Sequence, residues 1–321
     1  MNTIISQLVN GVTLGGMYAL IALGYTLVYG ILLMINFAHS EMFMSGAYIG
    51  LGVLQLLSGE KVINAISGRF PFLSFLQSTR TFFTGSVPGF IIMLIIVFAV
   101  AAILTGFLGM LTERFAYRPL RNAPRLCPLI SALGVSIFLQ NAALLWIDSS
   151  IPFPAVLPTH DFGFGITPIR IFIIVTSLVL LFVLDRFVSG TKMGKAMRAT
   201  SQDQDAAGLM GIDINRVIGL TFFIGPALGA IAGVFSGMYY GVVTYNMGFF
   251  PGIKSFTSAV LGGIGNLRGA MLGGFLLGIV EALAAGFISP GYKDVIAFII
   301  LIVVLIFRPG GLLGESVVEK V

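Results

Sequence analysis

Charge is scarce in this chain: Asp, Glu, Lys and Arg make up 10% of its 321 residues, while apolar types make up 57%. A soluble domain carries roughly 25% charged residues, so too few polar groups are present to cover a water-exposed globule. Cysteine is nearly absent. The one example, Cys127, excludes an internal disulfide and a thiolate metal cluster, and reads as a small apolar filler. Histidine is limited to His39 and His160, which supports neither a zinc site nor a serine-histidine-acid triad. No nucleotide-binding loop is present either. Gly190 to Lys195 has three residues between its glycines instead of four, and Ala196 stands where Ser or Thr must hold magnesium. Gly263-Ile264-Gly265 lacks the third glycine of a dinucleotide loop and is expected to be a helix break. The chain is therefore expected to do no covalent chemistry and to hold no cofactor or metal, drawing its energy from a partner or an ion gradient.

Long uncharged runs are what the sequence has in abundance. Ile4 to Ser40, Gly89 to Thr112, Leu126 to Ile147 and Val217 to Ile253 each exceed the roughly 20 residues that cross a bilayer. The expected fold is an all-α, polytopic membrane bundle over residues 1–321, with about 8 to 9 spans including discontinuous helices. Their approximate bounds are 8–33, 36–57, 89–112, 126–147, 168–185, 217–241, 253–266 with 269–288, and 294–308. Whether 253–288 forms one span or two, and so which side holds the N-terminus, stays open. No Lys or Arg precedes the first run and no clear cleavage site follows it, so that span is expected to be retained. Arg114, Arg118, Arg121 and Arg125 crowd one connection, and Arg186, Lys192, Lys195, Arg198 and Arg216 another. The positive-inside rule puts both in the cytoplasm, with Arg308 and the C-terminus. Asp148 to Thr167, without Lys or Arg, is expected outside, and so is Ser58 to Pro88 despite Lys61, Arg69 and Arg80. Topology accounts for these charges, and no nucleic-acid partner is implied.

Glycine punctuates the spans. Gly225, Gly229, Gly233, Gly237 and Gly241 recur every fourth residue, a small-residue groove where a neighbouring backbone can approach. A second cluster around Asn266-Leu267-Arg268 suggests broken helices, which survive only where protein or a water-filled cavity covers the freed backbone. Polar residues inside the spans are few. Asn36, His39 and Glu41 lie between two apolar runs; they read either as a pathway or gate, or as the cap of a helix start at the cytoplasmic surface. Gln140, Asn141 and Glu281 lie deeper and read as pathway or gate residues or as interhelical hydrogen bonds.

The segment Arg186 to Arg216 is the candidate coupling loop. Asp205-Ala206-Ala207, three residues, then Gly211 is the spacing a transport subunit would present to a separate ATPase. Small alanines allow close docking, and Gly211 would permit the turn after the first short helix. Further motifs occur in order: Asn10 to Gly15 with Tyr18-Ala19-Leu20, Ile35 to His39, Tyr117 to Arg121, Ser136 to Asn141, Ala259 to Gly265 and Tyr292 to Val295. Together they resemble the smaller permease of the bacterial high-affinity branched-chain amino-acid ABC importers, the LivH type, over nearly the whole chain. The resemblance implies a type II importer permease in the cytoplasmic (inner) membrane. Its partners would be membrane lipid, a second homologous permease, two cytoplasmic ATPases carrying ATP and magnesium, and an external binding protein delivering leucine, isoleucine or valine. Ser40 in place of glycine, Asp205 in place of glutamate and the long Ser58 to Pro88 connection depart from the family pattern. Three alternatives remain: a urea or short-amide permease, an ion-coupled secondary transporter using Glu41 and Glu281, and a membrane scaffold.

Overall fold

In the computed structural model the described residues are 2–59, 82–83, 85–121, 123–124, 126–147, 149–158, 160–308 and 310–314. They form an array of helices: α1 (Asn2–Leu32), α2 (His39–Ser58), α3 (Val87–Thr112), α4 (Leu126–Trp146), α5 (Pro168–Gly190), α6 (Lys192–Gln202), α7 (Gln204–Leu209), α8 (Ile214–Tyr240), α9 (Phe249–Gly262), α10 (Leu267–Phe287) and α11 (Lys293–Phe307). The only strands among the described residues, β1 (Ser150–Pro152) and β2 (Val242–Thr244), pair antiparallel. Among the described residues, seven helical stretches are long and apolar enough to cross a membrane, the last of them Pro290–Phe307, which includes α11. Two expected spans fall short of that standard: α2 opens with His39 and Glu41, and α9 has only 14 residues. Lys61, Arg69, Arg80, Arg125 and Asp148 lie outside the described residues.

The stretch 253–288 resolves into two helices, and the break falls at 263–266, just before the Asn266 to Arg268 triplet. Gly263 and Gly265 adopt φ of 106° and 95°, a region closed to most side chains. Asn266 caps α10 by accepting from the Gly269 N–H at 3.1 Å. The carbonyls freed at the end of α9 are covered by the C-terminal strap: Leu312 and Leu313 donate to the Leu261 and Gly262 carbonyls at 2.9 and 3.0 Å. Protein, not a water-filled cavity, satisfies this backbone. Arg268 points out of the break and pairs with Asp185 at 3.1 Å on an exposed surface.

That pair ties the start of α10 to the end of α5, and Arg121 donates to Asn215 at 2.8 Å at the start of α8. The basic connections thus gather at one end of the bundle. At the opposite end β1 pairs with β2, and Gly165 lies against Ser6 near the chain's start. The start of α1 is therefore remote from the basic end, which settles the parity that the doubtful span had left open.

α1 and α8 form the middle of the bundle. α1 packs most extensively on α10 and also on α8, while α8 packs on α2 and α3. A Cβ on Gly278 would meet the backbone of Gly15 and Gly11, and one on Gly274 would meet Ala19. Backbones approach this closely only where side chains are missing. The stripe along α8 is less uniform than its spacing suggests. Gly225 faces Gly24 of α1, Gly229 lies at ordinary distance from His39 and Phe43, and Gly233 abuts the Phe43 carbonyl. Gly237 meets the Phe153 ring from the strand end of the bundle. Gly241 packs against nothing; it is the left-handed C-cap of α8, with φ of 71°. The expected groove therefore runs from Gly225 to Gly233, and its last two members serve a ring contact and a helix stop.

Gly233→Leu and Gly278→Leu should each lower the thermal stability of the purified chain in detergent by an amount equivalent to about 1–3 kcal/mol, the usual overpacking cost. Gly52→Leu, placed in open space, should leave the melting curve unchanged; equal losses at all three positions would show that these seams do not hold the bundle.

Candidate functional site

Two groups of residues carry the functional argument, one at the basic end and one within the bundle. At the basic end α6 and α7 form a compact hairpin between α5 and α8. Thr191 caps α6 by accepting from the Gly194 N–H at 3.0 Å, and Asp203 caps α7 by accepting from the Ala206 N–H at 2.9 Å. The Arg198 guanidinium donates to the Val188 carbonyl, folding α6 back on the end of α5. The turn at Gly211, with φ of 82°, comes after α7, the second short helix, and not after the first. There the Ile212 N–H reaches the Ala207 carbonyl at 3.1 Å, the six-to-one closure of a helix ended by a left-handed glycine. The first turn is made by Asp203.

The expected coupling residues divide by exposure. Asp205, Ala206 and Gly211 face outward, but Ala207 is 5% exposed and packs into the hairpin. The outward apolar surface belongs to Leu209 and Met210, which are 90% and 84% exposed. Neither was singled out from the sequence, although an isolated Leu-Met pair in a polar loop is the signal that marks them. Gln204 joins the hairpin to the bundle by donating to the Ile31 carbonyl at the end of α1, at 2.7 Å.

Within the bundle, Leu33 (φ 51°) reverses the chain after α1, and residues 34–38 lead into α2. Asn36 lies outside the helix, so it does not share a helical face with His39 and Ser40. It is buried and accepts from the Tyr117 hydroxyl at 2.5 Å. The N-cap of α2 is Ala38, with no side-chain cap bond, so neither Asn36 nor Glu41 caps a surface helix. His39 is fully buried, edge-on to Tyr25 at 4.8 Å, and occupies the space left by Gly24. Glu41 is also fully buried, and one carboxylate oxygen accepts from Ser40 and Ser136 at 3.1 Å each and from Gln140 at 2.8 Å. Glu41 and Gln140, distant in sequence, are thus joined across α2 and α4. Asn141 is not joined to them: it is exposed on the other side of α4 and donates to the Ile137 carbonyl of its own helix.

Glu281 belongs to a separate group nearer the strand end. The Tyr18 hydroxyl donates to it at 2.9 Å, and the Lys254 ammonium lies 2.7 Å from Glu281 and 2.6 Å from Asp294. Lys293 stands 3.5 Å from Glu281 on the exposed side. Two cations and two anions thus neutralise one another where α1, α9, α10 and α11 meet. Buried charges persist only when paired, and removal of one partner costs about 3–5 kcal/mol. Lys254 was missed in the sequence, yet a single lysine in an apolar run is itself a demand for such a partner.

A family model described as the permease component of branched-chain amino acid transport systems matches residues 7–305. The Pseudomonas aeruginosa high-affinity branched-chain amino acid transport system permease protein BraD is 47% identical, with 99% of this chain and 98% of that protein covered. The Escherichia coli K12 permease protein LivH is 42% identical over 99% and 97% of the two chains. The probable branched-chain amino acid transport permease protein LivH of Methanocaldococcus jannaschii is 27% identical, with 92% of this chain and 88% of that protein covered. No solved structure matches the chain. A helical bundle with long apolar spans, matched to these permeases along almost its whole length, belongs to the family of branched-chain amino-acid transport permease components and functions as a transport permease.

Proposed function

We propose that this chain is one of two membrane-embedded permeases of an ATP-driven importer for leucine, isoleucine and valine, working by alternating access in the bacterial inner membrane. The reading rests on the near end-to-end similarity to permeases whose names state branched-chain amino acid transport. The partners are a second homologous permease, two cytoplasmic ATPases that carry ATP and magnesium, and an extracytoplasmic binding protein. The chain performs no catalysis itself. Its α6–α7 hairpin is the coupling element: the ATPases grip the exposed Leu209 and Met210, with Asp205, Ala206 and Gly211 around them. Movement of α7 passes to the end of α1 through Gln204 and along the chain to α8, whose start Asp213 caps by accepting from the Arg216 backbone N–H at 3.1 Å. Because α1 and α8 occupy the middle of the bundle, a tilt of either shifts the packed helices against one another.

Glu41 and Gln140 hold α4 against α2 and act as a gate contact in this reading. Asn36 with Tyr117, His39 on Tyr25, and the Glu281 group fix helix positions around it. Such a conduit needs no tight site for a zwitterion with an aliphatic side chain, since selection falls to the binding protein. The same reasoning leaves urea-type amides to be separated by uptake competition. An ion-coupled mechanism through Glu41 or Glu281 would leave α6–α7 without a task; loss of uptake on inactivating the ATPases, with the ion gradients intact, separates the two mechanisms.

Leu209→Asp with Met210→Asp should reduce leucine uptake and ATPase co-purification by tenfold or more, about the effect of losing an interface hot spot. Membrane levels of the chain should stay normal because neither side chain supports its own bundle; undiminished uptake would remove α7 from the coupling role. Glu41→Gln should lower maximal uptake rate with little change in half-saturation concentration, as measured by initial rates over a range of leucine concentrations. A large rise in half-saturation at unchanged maximal rate would make Glu41 a substrate ligand instead.

A further inference from the structure

Four helices turn a long face away from the rest of the chain, and their exposed residues are of two kinds. On α3, on α5 as far as Val183, and on α11 from Val295, every exposed residue is apolar, and none is a glycine. A uniformly aliphatic and aromatic face is matched to lipid tails. The outward face of α4 is different. Among its exposed residues Ile130, Leu133, Ile137 and Leu144 follow the three- and four-residue spacing of a helix-packing stripe, and Gly134 and Asn141 interrupt them. A Cβ on Gly134 would touch nothing in this chain, so this small residue leaves an open notch. Asn141 uses one N–H on the Ile137 carbonyl at 2.8 Å, which leaves its oxygen and second N–H for a partner outside the chain. It stands five residues inside the end of α4, about 7.5 Å along the axis, within the stretch Leu126–Leu145 that is long and apolar enough to cross a membrane. In lipid tails those groups would be left unsatisfied, whereas a facing helix can supply both the close backbone contact and the hydrogen bond.

We infer that the outward face of α4 is the seat of the second permease, with a helix of that homologous subunit packed into the Gly134 notch and hydrogen-bonded to Asn141. The inference rests on the proposed two-permease assembly and adds which surface joins the halves. It also gives the Glu41 contact a purpose: Ser136 and Gln140 bind the inner side of the helix whose outer side carries the partner.

The test uses the full complex in membranes, with an epitope tag on the homologous second permease. A photo-reactive benzoylphenylalanine is placed at Ile137 or Phe138 on α4 and, as controls, at Ile103, Val179 and Ile299 on α3, α5 and α11. Irradiation should give an adduct carrying the tag from the α4 positions and none from the controls. Asn141→Leu should weaken co-purification of the tagged permease roughly threefold, the size of a typical interhelical polar contact. Tagged adducts arising only from the controls, or adducts only between two copies of this chain, overturn the inference. Co-purification of the tagged permease without any α4 adduct overturns the α4 seat alone. Failure of the tagged permease to accompany the unmodified chain would sink the two-permease assembly and the seat with it.

Discussion

The structure depends on bringing helix backbones together where apolar burial gives little advantage. In a lipid environment leucine gains nothing by leaving hydrocarbon for a protein interior, so helices associate through van der Waals contact at small residues and through interhelical hydrogen bonds. The α1–α10 seam at Gly11, Gly15, Gly274 and Gly278, together with the α2–α8 contact at Gly233, meets that requirement. These seams place α1 and α8 at the centre of the array. The break between α9 and α10 depends on the same device, since Gly262 and Gly269 let the two helix ends meet while the strap at 310–314 supplies the missing donors.

Polar residues do the complementary work of fixing where the helices stop and how they are rotated. Asn36 with Tyr117 secures the turn after α1, Glu41 gathers three donors from α2 and α4, and Lys254 holds α9 between Glu281 and Asp294. Each of these contacts is costly to break in an apolar interior because a buried partner would be left unsatisfied. A bundle joined by contacts of this kind has discrete arrangements instead of continuous slack. The α6–α7 hairpin meets this interior both through Gln204, at the last turn of α1, and through Met197 of α6, which is buried against the core.

Composition and run length alone determined that the chain is a helical membrane bundle, because no other structure satisfies the backbone across uncharged stretches of this length. The basic connections pointed to one end of the bundle as the one expected in the cytoplasm, and ordered motifs pointed to the permease family that the comparisons then bore out. These properties are additive along the chain, so they survive in one dimension. Tertiary structure decided which polar residues meet. Glu41 and Gln140 lie 99 residues apart, Tyr18 and Glu281 lie 263 apart, and no spacing rule links such pairs. It also separated Asn141 from its neighbour Gln140, since adjacent residues on a helix point about 100° apart. Ala207 turned inward, leaving Leu209 and Met210 outside, because the closure at Gly211 rotates α7 in a way that only the folded hairpin defines.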